Sequence, residues 1–389
     1  MLGYMLIWHK QSSIFQSVVC YLYRLIRIKR CRTARLCRVH VPGSSTGSFK
    51  TSKNNDYGTT VMTLVQLRYF VAIADAGFNI TAAAEHVHAT QPGLSKQLKQ
   101  LEDELGFLLF VRKGRSLEGL TPAGTQVLVH ARKMLSEAAN IRAFAANQRR
   151  DGQGQLLIAT THTQARFVLP PVISQVHRAY PQLSIHLQPN ADSDVLTQLA
   201  RGEADLALIS TAGEPPADGI AIPMFRWRRV VLLPRAHPLA KTGVRLTLAD
   251  LAAFPLVSYE SSIRPDSSLR RAFAQRGLEP QLAMTARDAD LIKTYVRAGI
   301  GIGLLAEMAV SAIHDADLVA LEAPDSIPEC IAWAVLPRER VLRDYTVELL
   351  VALAPQLDRH DLRRMLAGNQ IAQWPAPPTW AELSQVITS

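Results

Sequence analysis

ITAAAEHVHATQPGLSKQLKQLEDEL, residues 80–105, holds two short helical patterns separated by a tight turn. Ile80 and Thr81 open the first, with Thr81 placed to cap Ala82, Ala83, Ala84 and Glu85. His86 to Thr90 makes the turn. Gln91-Pro92 opens the second helix, where a first-turn proline gives up an N–H that has no helical partner anyway. Leu94, Leu98, Leu101 and Leu105 recur at four-three-four spacing and predict a face packed on neighbouring helices. The other side offers Gln91, Ser95, Lys96, Lys99 and Gln100, side-chain types that hydrogen-bond base edges and phosphates from a helix that fits a major groove. Upstream, Leu64, Leu67, Phe70, Val71 and Ala74 predict a further helix that Gly77 ends. By spacing this is a helix-turn-helix, although three short amphipathic helices with a polar face also occur in proteins that never touch DNA.

Charge gives that reading little support. The 389 residues carry a formal net charge of +10, but it is unevenly placed. Before Met62 there are ten Lys/Arg against one acid; Met62 to Arg150 has eleven against seven, and the remainder 22 against 25. Three of the four cysteines (Cys20, Cys31, Cys37) also precede Met62, so no disulfide framework or metal-ligand spacing exists beyond it, which fits a reducing cytoplasm. The charge-free run Gln11 to Tyr23 is shorter than the roughly 20 residues that span a bilayer. Residues 1–61 fit a membrane anchor, a basic nucleic-acid arm, or translated upstream sequence with the start at Met62. The third is favoured, because ordered patterning begins abruptly there.

From Gln155 to Arg338 apolar runs (Leu156 to Ala159, Leu183 to Leu187, Leu206 to Ile209, Val230 to Leu233, Leu256 to Ser258, Ile302 to Leu305) alternate with helical stretches. That alternation predicts α/β architecture with a largely parallel sheet, whose ligands bind beyond the carboxyl ends of the strands. Thr160-Thr161-His162-Thr163-Gln164 sits at such an end, ahead of a helix from Ala165, where hydroxyls and free N–H groups favour an anion. Ser210 and Thr211 follow a later strand in the same way. Thr and Ser are also common helix caps, and a cap needs no ligand. No Ser–His–acid arrangement, metal-ligand pair or phosphate loop points to catalysis, a metal or a cofactor.

The run LRYFVAIADAGFNITAAAEHVHATQPGLSKQLKQLEDELGFLLFVRKGRSLEGLTPAGTQVL (residues 67–128) closely resembles the winged helix-turn-helix of LysR-type transcriptional regulators. The resemblance implies that Thr90, Gln91, Pro92, Ser95 and Lys96 face DNA, joined by Lys99. It also implies a wing over Arg112 to Leu120, with Lys113 and Arg115 near phosphates. Further along, IATTHTQARFVLPPVI, GEADLALIS, HPLA, FPLVSY and TARDADLIKTYVRAGIGIGLLAEMAV resemble the effector domain of the CysB-like subgroup, which controls sulfur and cysteine metabolism.

The implied fold is an N-terminal all-α winged helix-turn-helix plus linker helix, then a two-lobed α/β effector domain like periplasmic binding proteins. The implied divisions are an extension (1–61), the DNA-binding domain (62–121), a linker and dimerisation helix (122–150), the effector domain (151–360) and a tail (361–389). The linker's apolar residues Val127, Leu128, Ala131, Leu135, Ala138 and Ile141 also suit a core helix of one domain. Carried over from the subgroup, Thr161, Thr163, Gln164, Ser210 and Trp227 fall on anion-binding positions, with Ser210 in place of a Thr. Arg264 stands where the subgroup has another Thr; it would favour an anion unless Glu260 neutralised it. Asp288, Asp290 and Lys293 read as inter-lobe or oligomer contacts.

The function this implies is a cytoplasmic regulator of sulfur-assimilation or sulfonate-utilisation genes. Its expected partners are promoter DNA, RNA polymerase, further copies of itself (dimer or tetramer), and a small anionic effector such as sulfate or acetylserine. A LysR-type regulator of another pathway, or a solute-binding protein, is the alternative.

Overall fold

The computed structural model describes residues 62–389 except 115, 218, 242–244, 339, 368–373 and 389. The readings of residues 1–61 and of Arg115 lie outside the described residues.

Thr63 opens the described fold with a capping box: its Oγ1 accepts the Gln66 N–H at 3.2 Å while Gln66 Oε1 accepts the Thr63 N–H at 2.8 Å. Helix α1 (Leu64–Asp75) follows, then α2 (Ile80–His86) and α3 (Gln91–Leu105). The cap of α2 is Asn79, not Thr81: Asn79 Oδ1 accepts the N–H groups of Thr81 and Ala82. Gly77 and Phe78, both at positive φ, turn the chain so that Asn79 arrives extended, the backbone an N-cap needs. Thr90 caps α3 through the Gly93 N–H. Leu67, Phe70, Ile73, Leu94, Leu98, Leu101 and Phe110 close one buried core, with Phe70 edge-to-face on Phe110 at 5.4 Å.

The wing is an antiparallel pair, β1 (Phe110–Lys113) and β2 (Ser116–Leu120). Glu102, 4% exposed on α3, ties it down. One carboxylate oxygen accepts the Leu109 N–H at 2.9 Å and the other takes Arg112 Nη2 at 2.5 Å. Helix α4 (Pro122–Gln148) leaves the wing where Thr121 caps it, and Gly124 is required there: a Cβ would lie 2.0 Å from Leu109 O.

The first turns of α4 are core helix and the later ones leave apolar residues exposed. Val127, Leu128, Ala131 and Leu135 pack on the winged domain's core, while Ile141 (70% exposed) and Phe144 (58%) face outward. Its last turns meet the next domain, where Asn140 Oδ1 accepts the Val341 N–H and Asn147 Nδ2 donates to Leu342 O.

Two five-stranded sheets follow, one in each of the two expected lobes. The first runs β4-β3-β5-β12-β6: β3 (Gly154–Thr160), β4 (Leu183–Pro189), β5 (Leu206–Thr211), β6 (Ile220–Trp227) and β12 (Cys330–Leu336). The second runs β11-β7-β10-β8-β9: β7 (Arg229–Pro234), β8 (Leu256–Tyr259), β9 (Leu282–Ala286), β10 (Ile302–Ala306) and β11 (Leu318–Glu322). Helices α5 (Leu169–Ala179), α6 (Asp192–Arg201) and α10 (Asp344–Leu353) belong to the first lobe; α7 (Leu248–Ala252), α8 (Ser268–Ala274) and α9 (Ala289–Arg297) belong to the second.

The expected largely parallel order is present in both sheets, each with one antiparallel strand. In each, four strands share one direction and a single strand opposes them, β12 in the first sheet and β7 in the second, the strands on which the chain returns to the first lobe and enters the second. Strands β3, β4, β5, β6, β8, β9 and β10 all end toward the space between the lobes.

After α11 (Arg359–Ala367), residues 374–388 pack back onto the first lobe. The Arg226 N–H donates to Pro378 O at 2.7 Å, and Thr379 bridges to Arg226 along the edge strand β6. Helix α12 (Trp380–Thr388) then buries Leu383 and sets Trp380 against Phe225 at 5.4 Å.

Replacing Glu102 by Ala strands the Leu109 N–H and unpairs Arg112. It is expected to cost about 2–4 kcal/mol. Thermal unfolding would show the loss, and an unchanged melting temperature would contradict the role given to this carboxylate.

Candidate ligand cleft and nucleic-acid interface

A cavity of about 810 Å³ lies between the lobes, and Thr161, Thr163, Gln164, Ser210, Trp227 and Arg264 all line it. Each comes from the carboxyl end of a strand or the segment just after one: Thr161 to Gln164 follow β3, Ser210 ends β5, Trp227 ends β6, and Arg264 follows β8. This is the edge at which α/β sheets bind ligands. Below Thr163 the helix begins as a π-turn (Gln164–Val168). Pro170 and Pro171 lack the N–H groups that would satisfy the carbonyls of Arg166 and Phe167, so widening that turn sacrifices little.

The hydrogen bonds of this group determine what it offers a ligand. Ser210 Oγ accepts two donors, Gln164 Nε2 at 3.0 Å and the Trp227 indole N–H at 3.1 Å, so its own proton is directed elsewhere. Tyr259 Oη likewise accepts twice, from Thr163 Oγ1 at 3.3 Å and the Ala306 N–H at 3.2 Å. Thr161 Oγ1 accepts the Gln164 N–H at 3.4 Å. Ser210, Tyr259 and Thr161 thus each keep an O–H to donate, and all three line the cavity. Burial pushes the Tyr259 phenol up from its ordinary range, more than the bonds from Thr163 and Ala306 pull it down. Tyr259 therefore stays protonated and a donor. Trp227 and Thr163 spend their donors inside the protein and act by orienting Ser210 and Tyr259. Gln164, 2% exposed, leaves Oε1 buried with no partner, an acceptor that a donor group would relieve.

Glu260 does not neutralise Arg264; it pairs with Arg287 at 2.8 Å. Arg229 extends over the Trp227 ring at 5.7 Å and donates to Ser268 Oγ at 2.9 Å. Asp192, the first residue of α6, lines the same cavity. Burial raises its carboxyl above the ordinary range against the pull of Arg264 and Arg229. Tyr259, Arg229 and Asp192 escaped the sequence reading. Tyr259 lies inside the quoted FPLVSY run and Arg229 beside Trp227, but Asp192 looks like any first-turn acid of a helix.

Near the cavity the lobes touch. Arg166 pairs with Asp290 across the gap, and Lys293 Nζ lies 5.3 Å from the Phe167 ring centre while binding Asp315 at 3.2 Å. Asp290 and Lys293 are thus inter-lobe contacts.

On the winged domain, Thr90, Gln91, Pro92, Lys96 and Lys99 are exposed along one side of α3, with Ser95 half-buried among them. Lys96 and Lys99 form no ion pair among the described residues, so both charges are free for phosphates. Lys113 on the wing pairs with Glu118 at 3.3 Å, a surface pair weak enough to yield to a phosphate.

A helix-turn-helix with a β-hairpin wing, joined by one long helix to a two-lobed module with a polar cleft, defines a ligand-responsive DNA-binding regulator. Residues 64–125 match the family described as bacterial regulatory helix-turn-helix protein, lysR family, and residues 149–358 match the LysR substrate binding domain. The chain belongs to the LysR family of transcriptional regulators. It is 39% identical over 298 residues to the regulator CysB of Haemophilus influenzae, covering 77% of this chain and 92% of that one. It is 35% identical to SsuR of Burkholderia cenocepacia, over 78% and 99% of the two chains.

Among solved structures it resembles the cofactor-binding domain of the Cbl regulator, with TM-score 0.51, 35% identity, and coverage of 56% of this chain and 94% of that one. A full-length OxyR variant from Pseudomonas aeruginosa gives TM-score 0.58 at 26% identity, over 77% and 99%. Among the described residues no helix is long and apolar enough to cross a membrane, and no cluster of His, Cys, Asp and Glu suits a metal ion.

Ser210→Ala removes the shared acceptor of two N–H donors and is expected to cost about 1–3 kcal/mol, whereas Ser210→Thr keeps the oxygen and most of the stability. Equal melting temperatures for the two variants would contradict the shared-acceptor geometry.

Proposed function

We propose that this chain regulates transcription of sulfur-assimilation or sulfonate-utilisation genes in the cytoplasm, switched by a small anionic effector in the inter-lobe cleft. Sulfate and acetylserine are the candidates. The observation that carries the anion is the set of three hydroxyl donors, Thr161, Ser210 and Tyr259, whose oxygens are already engaged as acceptors. The likeness to CysB and SsuR supports the metabolic assignment. Effector-binding roles go to Thr161, Thr163, Gln164, Ser210, Trp227, Tyr259 and Arg264, and DNA contacts to Thr90, Gln91, Pro92, Ser95, Lys96, Lys99 and Lys113.

An effector held by both lobes favours the arrangement in which both reach it, and it shifts the regulator only by its difference in affinity between arrangements. The outward Ile141 and Phe144 on α4 suit pairing with a second copy, which places two reading heads on adjacent half-sites. RNA polymerase is the proposed partner at the promoter. The reading contains no catalytic step.

Thr161→Ala combined with Gln164→Ala is expected to abolish sulfate and acetylserine binding in calorimetry while specific DNA binding persists. Undiminished titrations would refute the pocket. In gel shifts at fixed salt Lys96→Ala is expected to weaken DNA binding several-fold and flatten its salt dependence, and unaltered affinity would count against the phosphate contact.

A further inference from the structure

We propose that the effector is a small zwitterion, with its oxyanion in the hydroxyl cradle of Thr161, Ser210 and Tyr259 and its ammonium group against Asp192. This deepens the effector reading above and rests on it.

A bare sulfate explains neither the size nor the charge of the cleft. About 810 Å³ is ample for a multi-atom ligand and far more than four oxygens around one sulfur need. The charged side chains along the cavity also balance. Arg229, Arg264, Arg271 and Arg287 are matched in number by Asp192, Glu214, Glu260 and Asp266. A site for a lone anion gains nothing from so many carboxylates.

Most of those acids stand exposed on the rim, where water screens them; Asp192 alone is half-buried. It forms no hydrogen bond or ion pair with its side chain among the described residues, although Arg229 and Arg264 lie near enough to influence it. Both arginines are themselves without a carboxylate partner among the described residues. A desolvated, unpaired carboxylate is costly unless something cationic joins it.

Position supports the same conclusion. Asp192 begins α6 just after β4, the strand next to β3, and β3 leads directly into Thr161. Asp192 therefore shares one edge of one sheet with Thr161 and Ser210, and Tyr259 faces them from the other sheet. Buried Gln164 Oε1, also without a donor, is a second acceptor in that group.

The test pairs probes that differ only in the ammonium group: 2-aminoethanesulfonate against ethanesulfonate, and β-alanine against propanoate, titrated into the full chain by calorimetry with inorganic sulfate as reference. The amino member of at least one pair is expected to bind about 10-fold tighter, a difference of about 1.4 kcal/mol. Asp192→Asn, with Asp192→Ser as a second variant, is expected to bring that pair within about twofold. Equal binding in the unaltered protein, no binding by either pair, or a preference that survives both Asp192 variants overturns the zwitterion. A carboxylate that merely attracts Arg229 and Arg264 across the cleft would alter both members of a pair alike. If sulfate and both plain anions bind and the Thr161→Ala, Gln164→Ala variant loses them, the anion site stands even where the zwitterion falls. If that variant retains them, the cradle itself is wrong.

Discussion

Glu329 holds together the two places where the chain passes between lobes. One carboxylate oxygen takes Arg228 Nε at 2.7 Å and the other Arg226 Nη1 at 3.3 Å, so the crossing after β6 is pinned to the one before β12. Glu307 reinforces it from the second lobe, accepting the Arg228 N–H at 2.8 Å and returning its own N–H to Arg228 O. These groups are partly exposed, so each ion pair contributes no more than about 1 kcal/mol. That scale suits a hinge. Coupling between sites in switching proteins is typically about 1–3 kcal/mol, which a ligand held by both lobes can supply against contacts of this strength. In the proposed switch, rigid sheets on a weakly pinned crossing would let a small ligand alter the angle between lobes without repacking either core.

The same hinge explains the site's composition. Trp227 and Arg229 flank Arg228, and Cys330 follows Glu329, so crossing residues form part of the cavity wall. The C-terminal segment reaches this region too, because the Pro377 carbonyl accepts Arg226 Nε at 3.1 Å. Residues 374–388 lie beyond the matched effector domain, yet they brace the edge strand that leads into the hinge.

Much of this was legible in the chain. The helical periods around Leu64 to Leu105 translated directly into three packed helices, and six apolar runs became strands, because burial on one or both faces writes itself as spacing. The strands that escaped had reasons. β6 contains Pro223, which weakens a strand pattern, and it survives because β6 is a sheet edge where a missing N–H matters least. Thr81 and Asn79 are both competent caps two residues apart; the positive-φ pair at Gly77 and Phe78 decided between them, and no side-chain pattern encodes that turn.

The site was legible to a different degree for its two kinds of residue. Thr161 and Ser210 of the hydroxyl cradle were found through resemblance, and their logic is local: loops after parallel strands; Tyr259, from the other lobe, was not. The charges were not found in the same way. Arg264 stood out only as a departure from the subgroup, and Asp192 did not stand out, since Asp192 and Asp194 both look like acids complementing the dipole of α6. Only the fold shows that Asp192 lines a cavity opposite arginines from the other lobe. Under the proposed reading, the hydroxyls of the cleft speak to the kind of group gripped, while charges placed by tertiary structure speak to which molecule carries it.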